Sequence, residues 1–250
     1  MLDRIIGWMR EITLAISFLT VLPVPTIAYQ PGALGRSGRW FPLVGLIIGL
    51  ILVGTQWLLT QLFPPFLVAT LVTALWAFVT GGLHLDGLAD CCDGLFAPVA
   101  PERRLEIMRD PRTGAFAVIG LVLFLLLKSV SIATVVNIQP ALLLAPSWAR
   151  WLLLWIARQP SARASGLGAE FRETVTPKTL WIASVVPLML MSVFPSWQTL
   201  LALLGGLTMT WLLNRVARTR LGGTTGDLFG LTVELSELIV LLCFAIQFAQ

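Results

Sequence analysis

The 250-residue chain has little charge: Asp, Glu, Lys and Arg make up 12% of it, about half the share usual in soluble domains. That excludes a solvated surface over most of the molecule. There is one histidine, His84, and there are three cysteines, Cys91, Cys92 and Cys243. No C-x-x-C pair or Cys/His spacing of a zinc site occurs, and adjacent Cys91 and Cys92 make a poor structural disulfide. The net charge is +4, yet no Lys/Arg run interleaved with aromatics appears, which excludes the usual nucleic-acid signature. A secretory leader is not expected either. Arg10 and Glu11 interrupt the first apolar stretch, and no A-x-A pattern follows.

What the chain has in abundance is apolar sequence, 57% of all residues, in long blocks. A block of roughly 20 apolar residues crosses the hydrocarbon core as a helix, because a helix satisfies its own backbone hydrogen bonds there. The reading is an all-α, polytopic membrane protein, one helical domain over residues 1–250. About seven spans are expected: Phe41–Leu62, Phe66–Leu83, Ala115–Val136, Ala141–Ala157, Thr179–Phe194, Thr199–Leu213 and Phe229–Phe248. Before them, Ile5, Trp8, Met9, Ile12, Ile16 and Leu19 recur at helical spacing. They predict an amphipathic or partly inserted helix, ending at Pro23 and Pro25.

The connections alternate. Basic residues occupy every second one: Arg36 and Arg39, then Arg103, Arg104, Arg109 and Arg112, then Arg158, Arg163, Arg172 and Lys178, then Arg215, Arg218 and Arg220. The turns at Pro64–Pro65, Asn137–Pro140 and Pro195–Gln198 carry no charge. By the positive-inside rule the basic connections face the cytoplasm. Most of the acids fall beside them. A transporter would place such groups nearer the midplane. An interfacial set suits an enzyme that takes a soluble substrate from the cytoplasm.

Three stretches carry candidate chemistry. In GGLHLDGLADCCDGLF (81–96), Asp86, Asp90 and Asp93 stand at i, i+4 and i+7, within roughly 60° of one another on a helix. Three carboxylates on one face repel and call for a counter-charge. Mg²⁺, which prefers hard oxygen ligands, is the natural one. His84, two residues earlier, is a candidate base, phosphate donor or supporting group. In LGGTTGDLFGLTVELSE (221–237), Gly222, Gly223, Thr224 and Gly226 form a loop before a helix, where free N–H groups suit phosphate. Asp227, Glu234 and Glu237 follow on that helix. The two glutamates lie in apolar sequence and need either a function or a partner such as Lys128. In RDPRTGAF (109–116), Arg109 and Arg112 are a candidate phosphate clamp, although basic residues there also satisfy the topology rule. Lys128 and Arg150, inside predicted spans, need partners as well. Together these groups favour metal-assisted phosphoryl or nucleotidyl transfer, with a carboxylate accepting the proton of an attacking hydroxyl.

At these residues the sequence closely resembles the cobalamin synthase (adenosylcobinamide-GDP ribazoletransferase) family. The likeness runs through FLTVLPVP (18–25), RWFPLVGLIIG (39–49), Gly81–Gly94, LEIMRDPRTGAF (105–116), SGLG (165–168) and Gly222–Glu237, in order. The resemblance implies the last step of coenzyme B12 nucleotide-loop assembly. There the cobinamide phosphate of adenosylcobinamide-GDP passes to the 5′-hydroxyl of α-ribazole, or the enzyme acts on α-ribazole 5′-phosphate, and GMP is released. It also implies Mg²⁺ and a bacterial inner-membrane location with the site on the cytoplasmic side. Membrane lipid is then a partner, with room for a homo-oligomer and for other B12 assembly enzymes. Carried over, Asp86, Asp90, Asp93 and Asp227 are the expected metal ligands, and His84, Asp86, Asp90 and Asp93 the expected catalytic set. Arg109, Arg112, Gly222, Gly223, Thr224, Gly226, Asp227, Glu234 and Glu237 are the expected substrate contacts. Val21 and Pro111 stand where the family often has Arg and Ser.

Two other classes compete. A CDP-alcohol phosphotransferase also uses spaced aspartates at the membrane edge, but Asp90 stands where its D-G-x-x-A-R pattern has arginine. A transporter would place acids on several helices near mid-membrane and lose little with the Gly loop, and a third reading, a non-catalytic scaffold for B12 enzymes, would tolerate Asp86→Asn.

Overall fold

The structure, a computed structural model, describes residues 2–28, 30–163 and 167–247. Ser165 and Gly166 of the SGLG motif lie outside the described residues. The fold is helical throughout. The one non-helical pairing among the described residues is an isolated bridge between Ser161 and Thr224. Five helices are long and apolar enough to cross a membrane, the first counted from Ala33 to Leu59. They are α3 (Phe41–Leu59), extended back by α2 (Ala33–Ser37) and a 3₁₀ turn; α7 (Ala115–Thr134); α8 (Gln139–Ala157); α12 (Trp197–Arg220); and α13 (Gly226–Ala245).

Two expected spans take a different form. The stretch 66–83 does not continue as one helix. It divides into α4 (Pro65–Val79) and α5 (Leu83–Gly94), bent by 93°. The bend sits at Gly81 and Gly82, both at left-handed φ of 62° and 69°, a conformation that only glycine adopts at little cost. Counting the bent pair as one span gives six. The stretch 179–194 forms α10 (Pro177–Ala183) and α11 (Val185–Val193), apolar but shorter than a full crossing. The amphipathic helix α1 (Leu2–Leu19) stops at Leu19, ahead of the two prolines. It is held by Glu11, which accepts from the Trp40 indole at 3.1 Å and pairs with Arg39 at 3.3 Å.

Helices α8 and α13 are the inner pair, and α3, α5, α7 and α12 pack around them. The α3–α8 contact is made close by glycine. A Cβ on Gly45 or Gly49 would meet the Pro146 or Leu142 carbonyl at 2.4 or 2.7 Å, so the pair is a small-xxx-small crossing. Basic connections meet at one end of the bundle. Arg104 Nη1 donates to the Arg220 carbonyl at 3.0 Å, and Gly32 N donates to Glu170 at 3.1 Å. The uncharged turns 135–140 and 194–198 gather around one cavity with Phe244, Ile246 and Gln247. The sequence alternation is thus reproduced as a polar end and a bland end. Two further helices, α6 (Pro101–Ile107) and α9 (Leu167–Thr174), belong to the polar end.

Candidate active site

The two acidic motifs cross. Helix α5 lies on α13 at a point where both backbones are bare: a Cβ on Gly87 would sit 2.6 Å from the Asp227 carbonyl, and one on Gly230 would sit 2.8 Å from the His84 carbonyl. This contact brings Asp86 and Asp90, one helical turn apart, beside Asp227. Asp90 sits in the combined negative field of Asp227, Asp86 and Asp93, with Arg163 as the opposing charge. Arg163 Nη2 donates to Asp227 Oδ2 at 2.9 Å. Asp86 and Asp90 have no hydrogen-bond partner among the described residues, so their oxygens are available to a cation or a hydroxyl.

Asp93, expected as a metal ligand and catalytic group, accepts from Gly114 N at 2.6 Å and Ala117 N at 2.9 Å. Both carboxylate oxygens thereby cap the start of α7, where the backbone N–H groups have no partner of their own. Gly114 makes the approach feasible, since a Cβ there would meet that carboxylate at 2.5 Å. The cap also anchors the 109–113 loop against α5.

Asp86 borders two cavities. One, of about 260 Å³, lies between α5 and that loop and includes Asp90, Asp93, Arg109 and Arg112. Arg112 is tied to Asp110 by two contacts, at 2.9 and 2.6 Å, and its guanidinium holds the Asp110 carboxyl well below the usual carboxylate range. Arg109 is exposed and, among the described residues, has no ion pair. The other cavity, of about 220 Å³, lies between α5, α9 and α13. His84, Gly226 and Asp227 line it together with Phe18, Phe171 and Phe229. The three phenylalanines, and Arg163 beside Asp227, were not singled out for chemistry from the sequence. No local signal marks them, because they come from four separated segments.

The Gly/Thr loop is largely used by the fold. Gly222 turns the chain out of α12 at a φ of 80°. Gly223 packs on the backbone of residues 160–162, and Thr224 N donates to the Pro160 carbonyl at 2.8 Å. Thr225 caps α13 by accepting from Leu228 N at 3.2 Å. Of the loop residues named from the sequence, Gly226 reaches the cavity.

Glu234 and Glu237 line neither cavity. They are 3% and 1% exposed, deep among the helices. Lys128 Nζ donates to Glu234 at 3.1 Å and to Glu237 at 2.7 Å, and Arg150 Nη1 donates to Glu237 at 2.6 Å. Two cations and two anions close a neutral set that clamps α13 to α7 and α8. The Lys128 ammonium also lies 3.9 Å from the centre of the Trp76 ring. Substrate contact, expected for these glutamates, is not made through either cavity that Asp86 borders, while the alternative of pairing with Lys128 is realised.

The arrangement offers free carboxylates, an exposed guanidinium and two small cavities that meet at Asp86. No solved structure matches the chain significantly. A family model described as cobalamin-5-phosphate synthase matches residues 11–245. Curated relatives include proteins named adenosylcobinamide-GDP ribazoletransferase. The one from Desulfitobacterium hafniense is 37% identical over 94% of this chain and 96% of its own. That from Ectopseudomonas mendocina is 40% identical over 94% and 98%, and that from Pseudomonas paraeruginosa 41% over 95% and 98%.

Proposed function

The chain belongs to the cobalamin-5-phosphate synthase family, and we propose that it performs the transfer for which its relatives are named. It is an adenosylcobinamide-GDP ribazoletransferase of cobalamin biosynthesis, joining adenosylcobinamide phosphate to a ribazole acceptor and releasing GMP. The observation that carries this at the level of residues is the Gly87–Gly230 crossing, which sets Asp86 and Asp90 beside Asp227.

The family's name favours the phosphorylated form of the two acceptors considered. Its product keeps a 5-phosphate. A ribazole already phosphorylated at the 5′ position has no 5′-hydroxyl, so a secondary ribose hydroxyl attacks, in place of the 5′-hydroxyl expected from the sequence. The hydroxyl oxygen bonds to the cobinamide-bearing phosphorus. The bond from that phosphorus to the bridging oxygen breaks, and the oxygen leaves with GMP. Asp86 or Asp90 takes the hydroxyl proton. Arg109 pairs with the diphosphate, because a guanidinium matches phosphate oxygens.

The donor set fits Mg²⁺ in one particular way. Among the described residues no group of three or more His, Cys, Asp and Glu is arranged to hold a metal alone. Mg²⁺ is usually held by one or two carboxylates, with waters and substrate phosphates completing the shell. One of Asp86 and Asp90, together with Asp227, would supply those carboxylates, leaving the other to take the hydroxyl proton. When bound, the ion supplies charge neutralisation for the diphosphate. The basic connections support a cytoplasmic placement of this end of the bundle, in the bacterial inner membrane expected from the resemblance.

The test uses protein in lipid nanodiscs with adenosylcobinamide-GDP, α-ribazole 5′-phosphate and Mg²⁺. GMP and a cobalamin phosphate form in equal amounts, and EDTA stops both. A folded preparation that makes neither overturns the reading.

A further inference from the structure

The two cavities that meet at Asp86 differ in chemistry. The one beside Arg109 is charged. The other is walled by Phe18, Phe171, Phe229 and Leu153, with His84 and Asp227 also at its lining. We infer that this aromatic cavity holds the flat base of the ribazole acceptor, while the charged cavity takes the diphosphate of the other substrate. The assignment rests on the proposed transfer and gives each substrate its own side of Asp86.

Size is the first argument. At about 220 Å³ the cavity is below the roughly 300–1,000 Å³ of pockets for drug-sized ligands. It accepts a two-ring heterocycle and excludes a corrin macrocycle. The wall is the second. Phe171 stacks on Phe41 with centroids 5.4 Å apart and planes 9° apart, and Phe18 stacks on the same ring at 5.9 Å and 19°. These rings are already ordered by one another, so little rotamer freedom is lost when a base joins them. His84 also borders the cavity, but its imidazole lies in the field of Arg150, Glu237 and Lys128, so the assignment stands on the size and the aromatic wall.

Geometry then orders the reaction. Asp86 is the residue common to both cavities. With the base among the phenylalanines, the ribose hydroxyl emerges beside that carboxylate. Its oxygen bonds to the cobinamide-bearing phosphorus, and the bond to the bridging oxygen breaks toward the charged cavity. GMP leaves with that oxygen, and the hydroxyl proton goes to Asp86. Attack and departure on opposite sides of phosphorus suit an in-line displacement.

Two measurements test this on the full chain in nanodiscs: equilibrium dialysis of α-ribazole 5′-phosphate alone, and steady-state kinetics with both substrates. Phe18→Ala weakens acceptor binding and raises its KM by roughly 5- to 100-fold, the range of one lost base–aromatic contact. The KM for adenosylcobinamide-GDP stays within about twofold, and Phe18→Tyr, which keeps the ring, restores acceptor binding. Phe229→Leu, read the same way, covers the case in which Phe18→Ala does not fold. A KM increase for adenosylcobinamide-GDP instead, equal increases for both substrates, or no change in either overturns the assignment. Acceptor binding that Phe18→Ala abolishes, in wild-type protein that releases no GMP, overturns the transfer and upholds the cavity.

Discussion

Removing Lys128 tests whether the buried charge set holds the bundle together. Lys128 is the partner that neutralises Glu234, at 3.1 Å, and it shares Glu237 with Arg150, which lies 2.6 Å from that carboxylate. In Lys128→Met, Glu237 keeps Arg150, but Glu234 is left as an unpaired buried anion. Breaking a buried pair from one side costs about 3–5 kcal/mol, much of it the desolvation of the orphaned charge. For a chain of this size each kcal/mol moves the melting temperature by about 2–4 °C, so the midpoint falls by roughly 6–20 °C. The double variant Lys128→Met/Glu234→Met removes the orphan. It recovers most of the loss, since replacing a whole buried pair by apolar side chains is often neutral. The assay is the fraction of monodisperse protein in detergent after heating through a temperature series. A single variant that melts within about 2 °C of wild type, or a double variant less stable than the single one, refutes the reasoning.

The helix crossing makes a second prediction. Gly87→Ala forces a Cβ to within 2.6 Å of the Asp227 carbonyl, so α13 must move. Overpacking of this kind costs about 1–3 kcal/mol. GMP release falls more steeply than the melting temperature, because Asp227 is displaced from Asp86 and Asp90. Asp93→Asn weakens the cap on α7, by about 1 kcal/mol in a heat-stability assay. It loosens the 109–113 loop, so the KM for adenosylcobinamide-GDP rises while acceptor binding in dialysis is unchanged. The Asp110–Arg112 pair gives a pH prediction. The Asp110 carboxyl is depressed in the folded chain, so the ordering it lends the loop is full above the ordinary aspartate range. That ordering is lost as pH falls below this range through the depressed value, readable as loop proteolysis at neutral and acid pH. Topology is tested with single cysteines. A thiol at Gln198 labels from the face opposite one at Arg158, and labelling of both from one face contradicts the alternation.

Hydrophobic length and the proline and glycine stops gave most helix positions. The stretch expected from Phe41 is α3 to within three residues of its end, and the one expected from Ala115 is α7 to within two. Hydropathy alone did not show the break at Gly81–Gly82. A pair of left-handed glycines turns an apolar segment without changing its composition, although the doubled glycine was visible as a turn signal. The acids were legible as a cluster because Asp86 and Asp90 share a helical face. Asp93 shares that face too, and its capping contacts come from Gly114 and Ala117, at the start of another helix. The same holds for Glu234 and Glu237. Their burial demanded a partner; Lys128 stood out in the sequence as a candidate, while Arg150 was visible only as a charge in need of one. The aromatic cavity had no sequence signal, since Phe18, Phe171 and Phe229 meet only once α1, α9 and α13 pack.

Asp86 and Asp90, without hydrogen-bond partners among the described residues, carry the transfer. GMP release by Asp86→Asn protein in nanodiscs is the most direct test. The variant is matched to wild type for monodispersity and assayed with saturating adenosylcobinamide-GDP, α-ribazole 5′-phosphate and Mg²⁺. Its rate is lower by at least about 10²-fold, the scale set by losing a general base, with acceptor binding preserved. A folded Asp86→Asn protein releasing GMP at the wild-type rate rules out this role.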